Sequence, residues 1–299
     1  MKLAITGGTG FVGGHLIRLA AEQGHAVRAL ARRAQSPRAG VEWVAGALDR
    51  PESLAALAGG ADAVIHVAGV VNAPDRAAFA AGHIAGTSAM LAAAEAAGVR
   101  RFVHVSSLAA REPGLSDYGW SKAGAEAAVS ASTRAWTMVR PPAIYGPGDA
   151  EMLELFRMAK RGVMPLPPGG RLSLIHVADL ARLLLTLAER PADAQRVMEP
   201  DDGVRDGWDH RDLARAIGAA VGRRVLPLPV PAGLLRIGAR IDGMARGAQA
   251  KLTPDRVRYF CHPDWVVHAR PGEDVWRPLI PTPEGLAATA DWYRAEGWL

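Results

Sequence analysis

The chain has 299 residues, of which 49% are hydrophobic and 22% charged, with a formal net charge of +5. That balance excludes a disordered or fibrous protein and fits a globular chain with one large domain or two lobes. The basic residues are scattered arginines, with lysine only at Lys2, Lys122, Lys160 and Lys251, so no stripe of the kind that binds nucleic acid is formed.

Cys261 is the single cysteine; an internal disulfide is excluded, and a reducing, cytoplasmic setting is expected. The first strand-like run is read from Lys2, so no signal peptide is expected. No membrane span is expected, because no apolar stretch is read as approaching the roughly 20 residues a bilayer needs. Cys261-His262 is a lone neighbouring pair, and no His, Cys, Asp and Glu cluster shows ligand spacing, so no metal is expected.

In chain order, Lys2–Thr6 reads as a strand, followed by a glycine-rich turn and an apolar-periodic helix from Phe11 to Glu22. Further strands are expected at Ala26–Ala31, Val41–Ala45, Ala63–Val67, Phe102–Val105 and Trp136–Arg140. Helices are expected at Ser53–Leu57, through the alanine-rich stretch ending at Ala97, and at Tyr118–Ser130. This alternation predicts an α/β fold: a doubly wound parallel sheet with helices on both faces and right-handed crossovers. After Pro141 the texture changes. Leu172–Val177 reads as one more strand and Asp179–Glu189 as a helix. From about residue 191 to Leu299 the chain is irregular and proline-rich, which suits a smaller C-terminal substrate lobe over the sheet's carboxyl edge.

The segment Thr6-Gly7-Gly8-Thr9-Gly10-Phe11-Val12-Gly13 follows the first strand and opens the first helix. A tight strand-to-helix turn needs a residue without a Cβ, and close approach to a pyrophosphate needs another. The helix N-terminus then offers free N–H groups and the positive end of its dipole. A glycine pattern alone is weak; in this strand–turn–helix setting it predicts a Rossmann dinucleotide site.

TGGTGFVG resembles the fingerprint of the extended short-chain dehydrogenase/reductase superfamily, the NAD(P)-dependent epimerase/dehydratase family. The resemblance continues in Gly46-Ala47-Leu48-Asp49, Val64-Ile65-His66-Val67-Ala68-Gly69, Arg140-Pro141-Pro142-Ala143-Ile144-Tyr145-Gly146-Pro147-Gly148 and Ile175-His176-Val177-Ala178-Asp179-Leu180. It implies cofactor contacts from Gly7, Thr9, Gly10, Phe11, Val12 and Gly13 in the turn. It also implies contacts from Leu48 and Asp49 near the adenine, Ala68 and Gly69 near the adenosine ribose, and Pro141 near the nicotinamide. The dinucleotide-binding domain is expected to comprise residues 1–150 and 171–190, and the substrate lobe residues 151–170 and 191–299. His66 and His176 read as buried structural residues.

Tyr118 and Lys122 lie four apart, one turn above each other on a helix face. They follow the strand that ends Val105-Ser106-Ser107, so the three polar groups can converge at its carboxyl end. The resemblance implies that Ser107, Tyr118 and Lys122 are the catalytic set, with Tyr118 and Lys122 also against the cofactor; Ser106 competes with Ser107, since adjacent strand residues face opposite sides. Carbonyl reduction leaves negative charge on oxygen, which a proton donor must quench. An ammonium beside a phenol favours the phenolate and lowers its pKa from about 10, and a serine hydroxyl can hold the substrate oxygen. Two departures from the family pattern stand out: His83-Ile84-Ala85-Gly86-Thr87 has histidine where an asparagine is common, and the Ser107–Tyr118 interval is short. For His83 an altered proton relay and altered packing are both open, with packing favoured. The short interval weighs against a nucleotide-sugar ligand.

The second strand ends at Ala31, where an NAD-specific fold carries Asp or Glu, and Arg32 and Arg33 follow. Without the carboxylate a 2′-phosphate is not repelled, and an arginine can pair with it, so NADP is the expected cofactor, with NAD possible. The expected function is an NADP(H)-dependent oxidoreductase acting on a carbonyl or secondary alcohol of a small-molecule substrate. The alternatives are an NAD-dependent sugar-nucleotide epimerase/dehydratase and a non-enzymatic dinucleotide-binding subunit. A homodimer is expected from the resemblance alone. In the C-terminal lobe, Leu234, Leu235, Ile237, Ile241 and Met244 fall at helical spacing with Arg236 and Arg240 between them; core or pocket wall is favoured over a membrane-surface helix. The aromatic tail from Trp292 to Leu299 is expected to dock.

Overall fold

The computed structural model describes residues 1–190, 194–247 and 252–299. The chain forms two compact units. The first comprises Met1–Pro141, Val177–Pro200 and Ala269–Trp276, and the second comprises Pro142–His176, Asp201–His268 and Arg277–Leu299. The expected division instead ran through residues 150, 170 and 190; its last boundary abuts residues 191–193, outside the described residues.

The elements follow in chain order as β1 (Lys2–Thr6), α1 (Phe11–Glu22), β2 (Ala26–Ala31), β3 (Val41–Ala45), α2 (Pro51–Ala58) and β4 (Ala63–His66). Next come α3 (Arg76–Ala80), a π turn at Ala81–Ala85, α4 (Gly86–Ala96) and β5 (Arg101–Val105). A 3-10 turn at Leu108–Arg111 leads to α5 (Asp117–Ser130), β6 (Ala135–Val139), β7 (Ala143–Tyr145), α6 (Leu153–Lys160) and β8 (Val163–Leu166). Then follow β9 (Arg171–Leu172), β10 (Leu174–His176), α7 (Val177–Glu189), β11 (Arg196–Met198), β12 (Trp208–Asp209) and α8 (His210–Ala220). The chain ends with β13 (Leu226–Pro229), α9 (Ala232–Arg246), α10 (Pro254–Phe260), β14 (Asp264–Trp265) and α11 (Thr282–Ala295).

The first unit is a seven-stranded parallel sheet in the order β11-β6-β5-β4-β1-β2-β3. Strands β4 and β5 are buried along their whole length, because helices cover both faces of a parallel sheet. On one face Leu54 and Leu57 of α2, Met90 and Leu91 of α4, and Val129 of α5 pack against Val64, Phe102 and Met138 of the strands. α1 and α7 pack against each other, with Leu16, Ile17, Leu183, Leu184 and Leu187 buried. β1 lies between β2 and β4, so the strand order reverses there and opens a crevice at the carboxyl ends of β1 and β4.

Three expectations need correction. β11 joins the central sheet beside β6, although its segment reads as part of the irregular lobe; three residues are too short for a periodic signal. The strand expected at Leu172–Val177 is two strands in different sheets, broken at Ser173. Ser173 Oγ donates to Asp201 and accepts from Val267 N, which turns the chain there. Finally, the helical run Arg76–Ala96 is 21 residues long and apolar enough to cross a bilayer by length and composition. Here it is a face of the sheet unit, with Phe79, His83, Thr87, Met90, Leu91 and Ala94 buried.

The second unit packs α8 against α6 and α11 around Tyr145, Phe156, Leu174, Ile217, Leu286 and Tyr293. β7 pairs with β10, β8 with β13, and β9 lies between β12 and β14. The aromatic tail docks as expected: Tyr293 is fully buried and stacks on Trp298, which Trp292 meets edge-on.

His66 of β4 and His104 of β5 are register partners and stack at 5.6 Å. His66 bridges Thr6 Oγ1 (2.8 Å) and Thr87 Oγ1 (3.1 Å), whereas neither ring nitrogen of His104 has a hydrogen-bond partner. Burial first, and then the Lys122 charge, push the pKa of His66 down to about 3. Burial, followed by His66 and Lys122, holds His104 well below its ordinary value. Both rings are therefore neutral in the fold, while the unfolded chain protonates them below pH ~6.5. Stability is full above that pH and falls on acidification toward the folded values, by up to ~1.4 kcal/mol per proton per pH unit. Urea midpoints measured from about pH 7 down to about pH 5 should show this decline, and His104→Leu should flatten it by about one proton. An unchanged slope would mean that His104 protonates freely in the fold.

Candidate active site

The glycine turn is built by close backbone contact. Gly7 has φ +74°, and a Cβ there would lie 2.7 Å from Ala68 N. A Cβ on Gly13 would lie 2.1 Å from Gly7 O, so the first turn of α1 packs directly on the loop. Gly10 precedes α1 with extended backbone, and no side chain caps the helix. Thr9 and Gly10 are exposed, and Phe11 and Val12 are half-buried. The N–H groups that open α1 therefore have no side-chain cap, and the close approach of Gly13 to the Gly7–Gly8 backbone sets the shape of the turn beside them. A pyrophosphate fits this arrangement.

The neighbouring strand ends are tied to this turn. Thr6 Oγ1 accepts from Ala68 N (3.2 Å), which holds the loop after β4 beside β1. Ile5 pairs with Ala29, so Ala31 lies level with Gly7, and exposed Arg32 and Arg33 follow at the end of β2. Leu48 packs on Gly86, where a Cβ would come within 2.7 Å of its Cδ1, and Asp49 beside it is exposed.

Ser107, Tyr118 and Lys122 are linked through the 3-10 turn. Ser107 Oγ caps that turn by accepting from Ala109 N (3.2 Å), and Leu108 N donates to Pro141 O (3.0 Å). Gly119 lets α5 start against the turn, since a Cβ there would lie 2.6 Å from Ala109 O. Tyr118 is half-buried on α5, and the buried Lys122 Nζ sits 5.9 Å from its ring centre. Lys122 Nζ donates to Val105 O (3.1 Å), the last residue of β5. Burial pushes the Lys122 pKa down to about 8, and the nearby Glu126 carboxylate works against that fall. Gly69 lies against the same ammonium, because a Cβ on it would meet Nζ at 3.4 Å. The structure thus gathers Ser107, Tyr118, Lys122, Gly69 and Pro141 around the carboxyl end of β5. Arg32, Arg33, Leu48 and Asp49 lie at the other arm, past β2 and β3.

The competing serine is committed elsewhere. Ser106 Oγ donates to Glu126 Oε1 (2.6 Å), and Arg140 grips the same carboxylate through Nε (2.8 Å) and Nη2 (2.6 Å). This Glu126–Arg140 pair is absent from the sequence reading. The spacing of Glu126 four residues beyond Lys122 was its only trace.

His83 also has a defined place. Val70 N donates to its Nε2 (3.1 Å), so Nδ1 carries the proton and donates to Ser121 Oγ (2.8 Å). Ser121 in turn donates to Tyr118 O (2.8 Å). Burial, then Lys122, push its pKa down to about 3, so the ring is neutral and both nitrogens are engaged. His83 joins the loop after β4 to the helix that carries Tyr118 and Lys122, and the π turn at Ala81–Ala85 brings it there.

A parallel sheet with an uncapped glycine turn at its reversal point, and a Tyr–Lys helix beside the next strand end, defines a dinucleotide-binding oxidoreductase fold. Residues 7–191 match the family described as NAD(P)H-binding. A ceramide reductase of Caulobacter vibrioides is 39% identical over 307 aligned residues, covering 99% of this chain and 96% of that protein. The crystal structure of gox2253 superposes with a TM-score of 0.79 at 21% identity, covering 100% of this chain and 99% of the other. The human epimerase family protein SDR39U1 (isoform 2), solved with NADPH, gives 0.74 at 19% identity over 97% of this chain and 99% of its own. The chain belongs to the NAD(P)H-binding family and is an NAD(P)-dependent oxidoreductase.

Gly13→Ala should separate the cradle from ordinary helix packing. Its Cβ forces the turn open, at ~1–3 kcal/mol of stability, and NADPH affinity should fall by about tenfold or more. Gly14→Ala, whose added carbon meets nothing closer than 3.9 Å, is the control. Fluorescence titration with NADPH and a thermal melt read both effects. Equal affinities in the two variants would show that the Gly7–Gly13 contact does not shape the site.

Proposed function

We propose that this protein reduces a ketone on a long-chain, lipid-like substrate with NADPH. The observation that carries the reading is the buried Lys122 ammonium beside the Tyr118 ring, at the end of the strand that leads into Ser107. Full-length similarity to a protein named for ceramide supports the substrate class. In this reading the sheet unit holds the dinucleotide and the second unit carries the substrate side. Gly7, Thr9, Gly10, Phe11, Val12 and Gly13 hold the pyrophosphate, and Leu48 and Asp49 flank the adenine. Arg32, with Arg33 beside it, pairs with the 2′-phosphate, while Ala68, Gly69 and Pro141 line the ribose and nicotinamide.

When bound on these residues, NADPH would supply the hydride that the carbonyl carbon takes up. The protein's own work is to manage the oxygen. Ser107 Oγ donates a hydrogen bond to the carbonyl oxygen as its charge grows. The Tyr118 phenol transfers its proton to that oxygen and completes the alcohol, so one hydride and one proton are consumed per ketone. The Lys122 ammonium stabilises the phenolate left behind and reaches the ribose hydroxyls. Its bond to Val105 O and the nearby Glu126 carboxylate fix where that charge sits. His83 contributes alignment, holding Ser121 one helical turn from Tyr118 against the loop after β4. A homodimer in the cytoplasm completes the proposal, resting on family resemblance and on the lone Cys261; light scattering reads the first of these.

Tyr118→Phe should lower kcat by roughly 10²–10⁴-fold while NADPH still binds and the melting curve is kept. Turnover near the wild-type rate would remove Tyr118 as the acid. Lys122→Met should lose both rate and NADPH affinity.

Cofactor choice is tested separately. Arg32→Ala should weaken NADPH binding by roughly 10–100-fold, the worth of charge-assisted hydrogen bonds, and leave NADH affinity nearly unchanged. Arg33→Ala should do less. Equal or tighter NADH binding by the wild type, with NAD retained through purification, would overturn the NADPH reading in favour of an epimerase.

A further inference from the structure

The helix α9 contradicts the expectation of a core or pocket wall. Ala239 is the only buried residue in its fifteen. Leu234, Ile237, Ile241 and Met244 are 58, 53, 59 and 86% exposed. At ~100° per residue these four occupy an arc of only about 80°. The exposure is also concentrated: seven of the eleven exposed large hydrophobics among the described residues fall between residues 226 and 260. Phe260, 46% exposed, is on α10, which packs against α9.

The charges on α9 are placed as asymmetrically as its apolar groups. Exposed Arg236 and Arg240 follow the apolar arc directly on one side of the helix. The single carboxylate of the helix, Asp242, lies on its opposite side, where it pairs with Arg246 (3.2 Å) and accepts from Leu252 N. The exposed stripe is thus apolar with a cationic edge and no carboxylate among its own residues. At ~1.5 Å per residue the helix is about 22 Å long, too short for a ~30 Å hydrocarbon core. It suits a position in the plane of an interface, with the apolar arc in the acyl boundary and the guanidinium groups at headgroup phosphates.

We infer that α9 docks this protein on an anionic phospholipid bilayer. Charge complementarity selects that occupant: a neutral surface would leave the arginine edge unused, and a second copy of the chain would place like charges together. The inference rests on the lipid-ketone reading for its purpose, since such a substrate is dissolved in a bilayer and must be met there.

The test uses the full chain and sucrose-loaded vesicles of phosphatidylcholine alone or mixed equally with phosphatidylglycerol, without substrate. The wild type should sediment with the mixed vesicles, and high salt should release it. Ile237→Asn with Ile241→Asn should weaken that binding on the order of tenfold or more. Arg236→Glu with Arg240→Glu should bind mixed vesicles no better than neutral ones. Both double variants should reduce a short, water-soluble ketone at the wild-type rate, which certifies their fold. No sedimentation of the wild type, equal sedimentation of all three proteins, or loss of self-association without loss of vesicle binding would overturn the inference. Vesicle binding by a chain that reduces no lipid ketone would support the surface and remove only the substrate class.

Discussion

Lys122 carries an ammonium that is almost wholly removed from water, and burying such a charge costs several kcal/mol unless neighbours compensate. What surrounds it meets that demand. Val105 O accepts from Nζ, and Glu126, one turn further along α5, opposes the fall in its pKa. Glu126 is itself fixed by Ser106 and by two bonds from Arg140. The same charge keeps His66, His83 and His104 neutral, adding to the effect of their burial. The Lys122 ammonium thus acts on three neutral imidazoles as well as on the groups that hold it.

Backbone proximity supplies the second half of the arrangement. The ends of β1, β4, β5 and β6 are joined by short contacts rather than by large side chains. Thr6 holds Ala68, the carbonyl of Pro141 holds Leu108, and His83 holds Val70 to Ser121. Glycine is required where backbones come closest, at Gly7, Gly13 and Gly119. The crevice edge is therefore stiff, and hydrogen-bonding groups aimed into it keep their positions without rearrangement.

The second unit is stabilised by ordinary means around Tyr145, Phe156 and Tyr293, yet it leaves α9 uncovered. Its buried Asp149 is pushed up to about 6, mainly by burial, although the N–H groups of Glu151 and Met152 bond to it. The apolar stripe of α9 is the departure in this unit, and the arginines next to it keep that exterior compatible with water.

The sequence by itself determined the sheet unit. Strand and helix periods, the Gly7-Gly10-Gly13 spacing and the Tyr118–Lys122 step are local patterns, and local sterics enforce them. Most elements of this half begin and end within a residue or two of where the pattern puts them; β11, whose three residues carry no period, is the exception, and the strand split at Ser173 falls in the second unit. Which residues compensate a buried charge is a different kind of question. Glu126 with Arg140, and His83 with Val70 and Ser121, are partners separated by 13 to 38 positions, brought together only by the packing of α5 and the π turn on the sheet. The fate of α9 shows the same limit in reverse. Its stripe of Leu234, Ile237, Ile241 and Met244 has the spacing of a core helix, and spacing records only that the residues share a face. Whether that face meets protein or water depends on what else the chain folds against it, and here the tertiary structure leaves it open.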